Sequence, residues 1–190
     1  IAAAVGVAAV IYDQYDTRTL RRTLKRDHVV CGVNTGLPGF SIADAKGEWS
    51  GFDVDFCRAV AAAIFNDPKK VKFVPLDANQ RFKELGNRTI DILSRNSTWT
   101  MSRETEYALQ FAGVSYYDGE GFMLRKSRNI DSGLELDGSK ICVQGNTTTQ
   151  LSLADYFRAN NMKFQEVKAD KVDDLLKNYD TGQCDVLTAD

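Results

Sequence analysis

Histidine occurs once, at His28, and none of the four cysteines forms a CxxC pair, so the chain offers neither a zinc ligand set nor a dithiol redox centre. No metal or other cofactor is expected. Charge of one sign is equally scarce: 24 basic and 26 acidic residues leave a formal net charge of −2, without a Lys/Arg block that would track phosphates. Nucleic acid is therefore excluded as a partner. The one apolar run near a terminus, residues 1–11, is too short to span a bilayer. It reads either as the tail of a signal peptide or as unstructured N-terminal sequence, and the residues leave both open. The glycine-bearing stretch Gly36-Leu37-Pro38-Gly39 lacks the GxGxxG spacing of a dinucleotide loop and the GK[ST] ending of a P-loop. Asp53 and Asp55 do not make a metal-binding pair, because alternate residues at a helix start do not face each other.

What is present is a globular pattern: 190 residues with 43% apolar content suffice for a buried core. From Val29 onward, short β-rich runs alternate with helical periodicity. Strands are predicted over 29–33, 71–76 and 90–93, with helices over 52–65 and 79–85 between them. On the first helix, Phe56, Val60, Ala61 and Ile64 share one face, and Asp53 falls in the first turn, where an acid favours the helix dipole. The order repeats downstream. Strands over 141–144, 164–167 and 184–187 alternate with helices over 148–159 and 171–179, the latter stopped by Gly182. Two βαβαβ units imply two α/β lobes with parallel strands and right-handed crossovers, joined by a connector containing Tyr116-Tyr117-Asp118-Gly119-Glu120-Gly121.

Ligands of open α/β sheets bind beyond the carboxyl ends of the strands. The corresponding loops are 34–40, 94–103, 145–149 and 188–190, and they supply hydroxyls, amides, Arg103 and Asp190. A zwitterion calls for such a set: a forked guanidinium and helix N-terminal N–H groups for its carboxylate, a carboxylate for its ammonium. The plainer reading of Arg103 is a solvated helix residue near Glu104 and Glu106, and that of Thr147 and Thr148 is simple N-capping. Trp49 reads as a packing residue, and Trp99 either as one or as a residue backing the ligand contacts.

The run Gly51-Phe52-Asp53-Val54-Asp55-Phe56-Cys57-Arg58-Ala59-Val60 resembles the helix start of the polar amino-acid-binding proteins of ABC importers, and residues 91–103 resemble their ligand loop. Cys31-Gly32-Val33-Asn34-Thr35-Gly36-Leu37 and Arg95-Asn96-Ser97-Thr98-Trp99-Thr100 are similar to the general L-amino-acid-binding branch, of proteobacterial type. The resemblance covers 24–190 and implies a type II periplasmic-binding-protein fold, with residues 24–118 as lobe one, 119–126 as hinge, 127–190 as lobe two and 1–23 as an N-terminal segment. It implies that Arg103 clamps the ligand carboxylate, with Asn96 and Thr98 adding contacts, that Thr147 and Thr148 close on it from lobe two, and that Asp190 receives the ammonium. Leu37 stands where several relatives place an aromatic, and an aliphatic there fits a broad specificity.

The function so implied is periplasmic capture of an L-amino acid, without turnover, and delivery to an ABC importer permease by a monomeric binding protein. The rivals are an enzyme on the same fold, such as a cyclohexadienyl dehydratase, and the ligand-sensing module of a receptor. An enzyme would need a cleft acid or base beyond Asp190, which already has a role. Composition leaves four buried thiols and two disulfides equally open. Given two lobes, pairing within each is expected: Cys31 on a strand with Cys57 on the next helix, and Cys142 with Cys184. In the resembled family the backbone continues past the acid to complete both lobes, so the chain is expected to be truncated at its C-terminus.

Overall fold

The structure, a computed structural model, describes residues 18–190; the apolar run 1–11 lies outside the described residues. The chain divides into two compact units, Ile1–Leu109 and Gln110–Asp190.

The first unit opens with helix α1 (Arg18–Arg26) and strand β1 (Val29–Val33). A short hairpin, β2 (Ile42–Ala43) and β3 (Trp49–Ser50), leads into helix α2 (Phe52–Phe65). Strand β4 (Val71–Pro75), helix α3 (Arg81–Gly86), strand β5 (Ile92–Leu93) and helix α4 (Met101–Tyr107) follow. The sheet order is β4-β1-β5, with both pairings parallel. All five residues of β1 are buried, because the central strand is covered on both faces. Val29, Cys31 and Val33 pack with Val54, Cys57 and Ala61 of α2, while Val30 packs on the opposite face with Leu76 and Ile90. A side chain at Gly32 would meet the Ile90 Cδ1 at 2.7 Å, so this second face of β1 has no room beyond glycine there.

In the second unit, strand β6 (Gly121–Leu124) is followed by two single 3-10 turns, then β7 (Lys140–Gln144), α5 (Thr148–Ala159), β8 (Gln165–Ala169), α6 (Val172–Asp180) and β9 (Val186–Ala189). The sheet order is β6-β9-β7-β8. One face buries Ile141, Val143 and Val186 against Leu153 and Phe157 of α5, and the other buries Cys142, Ala169 and Leu187 against Leu175 and Tyr179 of α6. Gly182, at φ 74°, ends α6 as its position in the sequence predicts. Disulfides join Cys31 to Cys57 and Cys142 to Cys184, each within one unit.

One expectation is corrected. Phe56 is exposed, because the buried stripe of α2 runs through Val54, Cys57 and Ala61. Asp53 lies in the first turn of α2, as expected, and is buried there. The parallel pairings expected of the second unit are present in β7–β8 and β7–β9, and β6, from the connector, adds an antiparallel strand beside β9.

Candidate functional site

Both sheets bring chemistry-bearing residues to the carboxyl ends of their parallel strands. At the end of β1, the buried Asn34 accepts from the Gly36 N–H at 3.3 Å and the Thr35 hydroxyl at 3.4 Å through its Oδ1. Its Nδ2 donates to Asn96 Oδ1 at 2.8 Å, which ties the loop after β1 to the loop after β5. Leu37 is half-buried in the first of these loops, which folds back through paired main-chain bonds between Leu37 and Ser41. The loop is then clasped to the start of α2, where Phe52 and Asp53 donate main-chain N–H groups to Gly39 and Phe40. Gly51 makes the clasp possible: its φ is 121°, and a Cβ there would fall 2.4 Å from the Phe40 carbonyl oxygen.

At the end of β5, Arg95 donates to the Leu76 carbonyl at 2.7 Å and to Asn96 Oδ1 at 3.2 Å. Thr100 caps α4 by accepting from the Arg103 N–H at 3.2 Å. That cap sets the entry angle of α4 and turns Arg103 inward, where the residue is only 8% exposed. Its Nη1 donates to the Thr98 carbonyl at 2.5 Å, and its guanidinium carbon lies 5.0 Å from the centre of the Phe82 ring. Arg103 is thus a held, buried cation, unlike the solvated helix residue that its acidic neighbours suggest. The Thr98 side chain and Asn96 are exposed, as is Trp99.

Beneath these loops sits Asp53, 3% exposed, with Oδ2 lacking a hydrogen-bond partner. Burial pushes its carboxyl above the usual 3.8, and the nearby Arg95 charge offsets part of that rise.

In the second unit, Thr147 is the N-cap of α5, accepting from Gln150 N–H at 3.3 Å and donating to the Gln144 carbonyl at 2.7 Å. Thr148 is the first helical residue, half-buried, and the N–H groups of this helix start lie at the end of β7. Asp190 follows β9 directly and is exposed. Since β7 and β9 are adjacent and parallel, Thr147, Thr148 and Asp190 share one end of the second sheet. Leu37, Asn96, Thr98 and Arg103 share the corresponding end of the first.

Sequence reasoning gave no role to Asn34, Arg95 or Glu120. The Glu120 carboxylate accepts from the Thr188 hydroxyl at 3.2 Å and, closely, from the Ser152 hydroxyl, linking the connector to β9 and α5. The one available signal was its place between Gly119 and Gly121. Among the described residues, no group of three or more His, Cys, Asp and Glu could hold a metal ion, and no helix is long and apolar enough to cross a membrane.

Two α/β units with polar loops at the strand ends define a type II periplasmic-binding-protein fold. Residues 29–183 match the bacterial extracellular solute-binding proteins, family 3, and the chain belongs to that family. It is 50% identical to the general L-amino acid-binding periplasmic protein AapJ of Rhizobium johnstonii, over 100% of this chain and 56% of that protein. It is 47% identical to the glutamate/glutamine/aspartate/asparagine-binding protein BztA of Rhodobacter capsulatus, over 98% of this chain and 55% of that one. A solved periplasmic binding protein from Brucella ovis, with glutathione bound, superposes with a TM-score of 0.86 at 53% identity, over 90% of this chain and 54% of its own. The chain spans about half the length of the curated relatives it matches. Like the Rhizobium and Brucella proteins, it is a periplasmic protein.

Proposed function

We propose that the protein captures L-amino acids in the periplasm and delivers them to the membrane permease of an ABC importer, as a monomer and without chemical turnover. The observation that carries this reading is Arg103. It is buried, stacked near Phe82 and held by the Thr98 carbonyl, at the strand ends where a ligand carboxylate would meet its fork. Asn96 and Thr98 add contacts from the first lobe, residues 24–118, where Leu37 packs on the ligand side chain. The second lobe, residues 127–190, supplies the Thr147 and Thr148 helix start for the carboxylate and Asp190 for the ammonium, with 119–126 as the hinge. Each charge of a zwitterion then has an opposite charge or dipole to meet. The names of the Rhizobium and Rhodobacter relatives, both amino-acid-binding proteins, support the same reading.

The Brucella structure with glutathione bound favours a second reading. Glutathione carries a γ-linked glutamate whose α-carboxylate and α-ammonium form the same zwitterionic head. Thermal melts of the full-length protein with L-amino acids, glutathione and a hexose separate the possibilities. An upward shift with L-amino acids is expected, and a shift with glutathione alone moves the assignment to the peptide. A shift with the hexose alone contradicts both.

A further inference from the structure

The two amides at the ends of β1 and β5 have their orientations fixed by groups that can only donate. The Gly36 main-chain N–H is directed at one end of the Asn34 amide at 3.3 Å, so that end is the oxygen. Nδ2 of Asn34 therefore points the other way, to Asn96, and the atom it reaches at 2.8 Å must accept. Arg95 independently donates to that same Asn96 atom at 3.2 Å, and a guanidinium has no acceptor to offer. Turning the Asn96 amide over would set its NH2 group against two donors at once. Both lone-pair directions of Asn96 Oδ1 are thus occupied, and the group the exposed Asn96 side chain can offer a ligand is its N–H.

Arg95 is itself held in place. Its other terminal nitrogen donates to the Leu76 carbonyl at 2.7 Å, just beyond β4, so one guanidinium joins the carboxyl ends of β4 and β5 while Asn34 joins β1 to the same point. The buried Asp53 carboxyl lies close enough for mutual attraction with Arg95.

We propose that Asn96 is a specificity-determining residue that presents a fixed hydrogen-bond donor, that Arg95 is the residue positioning it, and that the site consequently favours amino acids whose side chains carry a hydrogen-bond acceptor, a carboxylate or an amide oxygen, over apolar ones. This rests on the amino-acid-binding function proposed above and narrows its ligand class. A donor held in one orientation favours an acceptor over an apolar side chain of similar length, because the apolar ligand leaves the N–H unpaired on closure.

The test measures L-glutamate and L-methionine affinities in the full-length wild type and in Asn96→Asp and Arg95→Lys variants. Asn96→Asp keeps an oxygen facing Arg95 and turns the ligand-facing donor into an acceptor. Arg95→Lys keeps the charge but loses the fork that bonds Leu76 and Asn96 together. The expected result is a wild-type preference for glutamate over methionine, read as the ratio of the two affinities, that falls about tenfold in both variants. If the preference is unchanged, the fixed-donor assignment is overturned although the amino-acid-binding function stands. Equal losses for both ligands also overturn it, since a merely structural role moves both together. A wild type that binds no L-amino acid at all removes the function on which the inference rests, a result distinct from either.

Discussion

The Asp91 carboxylate accepts the main-chain N–H of Val30 at 2.8 Å across 61 residues of sequence, at a side-chain exposure of only 2%. Arg22 pairs with one of its oxygens at 2.9 Å, and Arg26 pairs closely with the other. One acid thus ties α1 to the central strand of the first sheet. Asp91→Ala leaves the Val30 donor unsatisfied and releases two partly exposed arginines. A loss of about 2 kcal/mol is expected. Urea unfolding checks it: the midpoint falls while the slope with denaturant stays the same.

Asp53 makes a pH prediction. Its folded-state carboxyl is raised above 3.8, chiefly by burial and despite Arg95, so the folded protein holds the proton more tightly than the unfolded chain does. Its contribution to stability therefore declines as pH rises from 3.8 through the folded value, and returns as pH falls. Asp53→Asn removes that component. Unfolding measured at a series of pH values should show the wild type losing stability relative to the variant across this window, and parallel curves would refute the assignment.

The two disulfides close loops of 26 and 42 residues. Chain-entropy reasoning gives about 3.5 and about 4 kcal/mol for them. Mass mapping of unreduced protein should find Cys31 with Cys57 and Cys142 with Cys184. A reductant should lower the melting temperature markedly, and four free thiols would contradict the pairing.

Features encoded by local chemistry were legible in the sequence. Five consecutive buried residues in β1, the Thr147 cap before α5 and the Gly182 stop after α6 each follow from a short pattern. Helix α1 was not, because Leu20 and Leu24 are its only large apolar residues and both are exposed; its place comes from Arg22 and Arg26, one turn apart, meeting a distant Asp91. The two-residue strands β2 and β3 are too short to show a period. In α2 helical spacing placed Val60, Ala61 and Ile64 on the inner face, where they pack, but it set the edge of that face wrongly: Cys57, bonded to Cys31 in the core, lies on the buried stripe that leaves Phe56 outside. The candidate site divides the same way. Thr147 as a cap was readable, whereas the burial of Arg103 depends on Phe82 in another helix, and the orientation of Asn96 depends on Asn34 and Arg95 at the ends of β1 and β5.

Calorimetric titration of the full-length wild type and of Arg103→Lys with a panel of L-amino acids tests the central claim most directly. Wild type is expected to bind with micromolar or tighter affinity, about −8 kcal/mol or better. The lysine keeps the charge but loses the fork, and should weaken binding by on the order of 2 kcal/mol or more. Equal affinity in the two proteins, or no heat with any L-amino acid, would contradict the account.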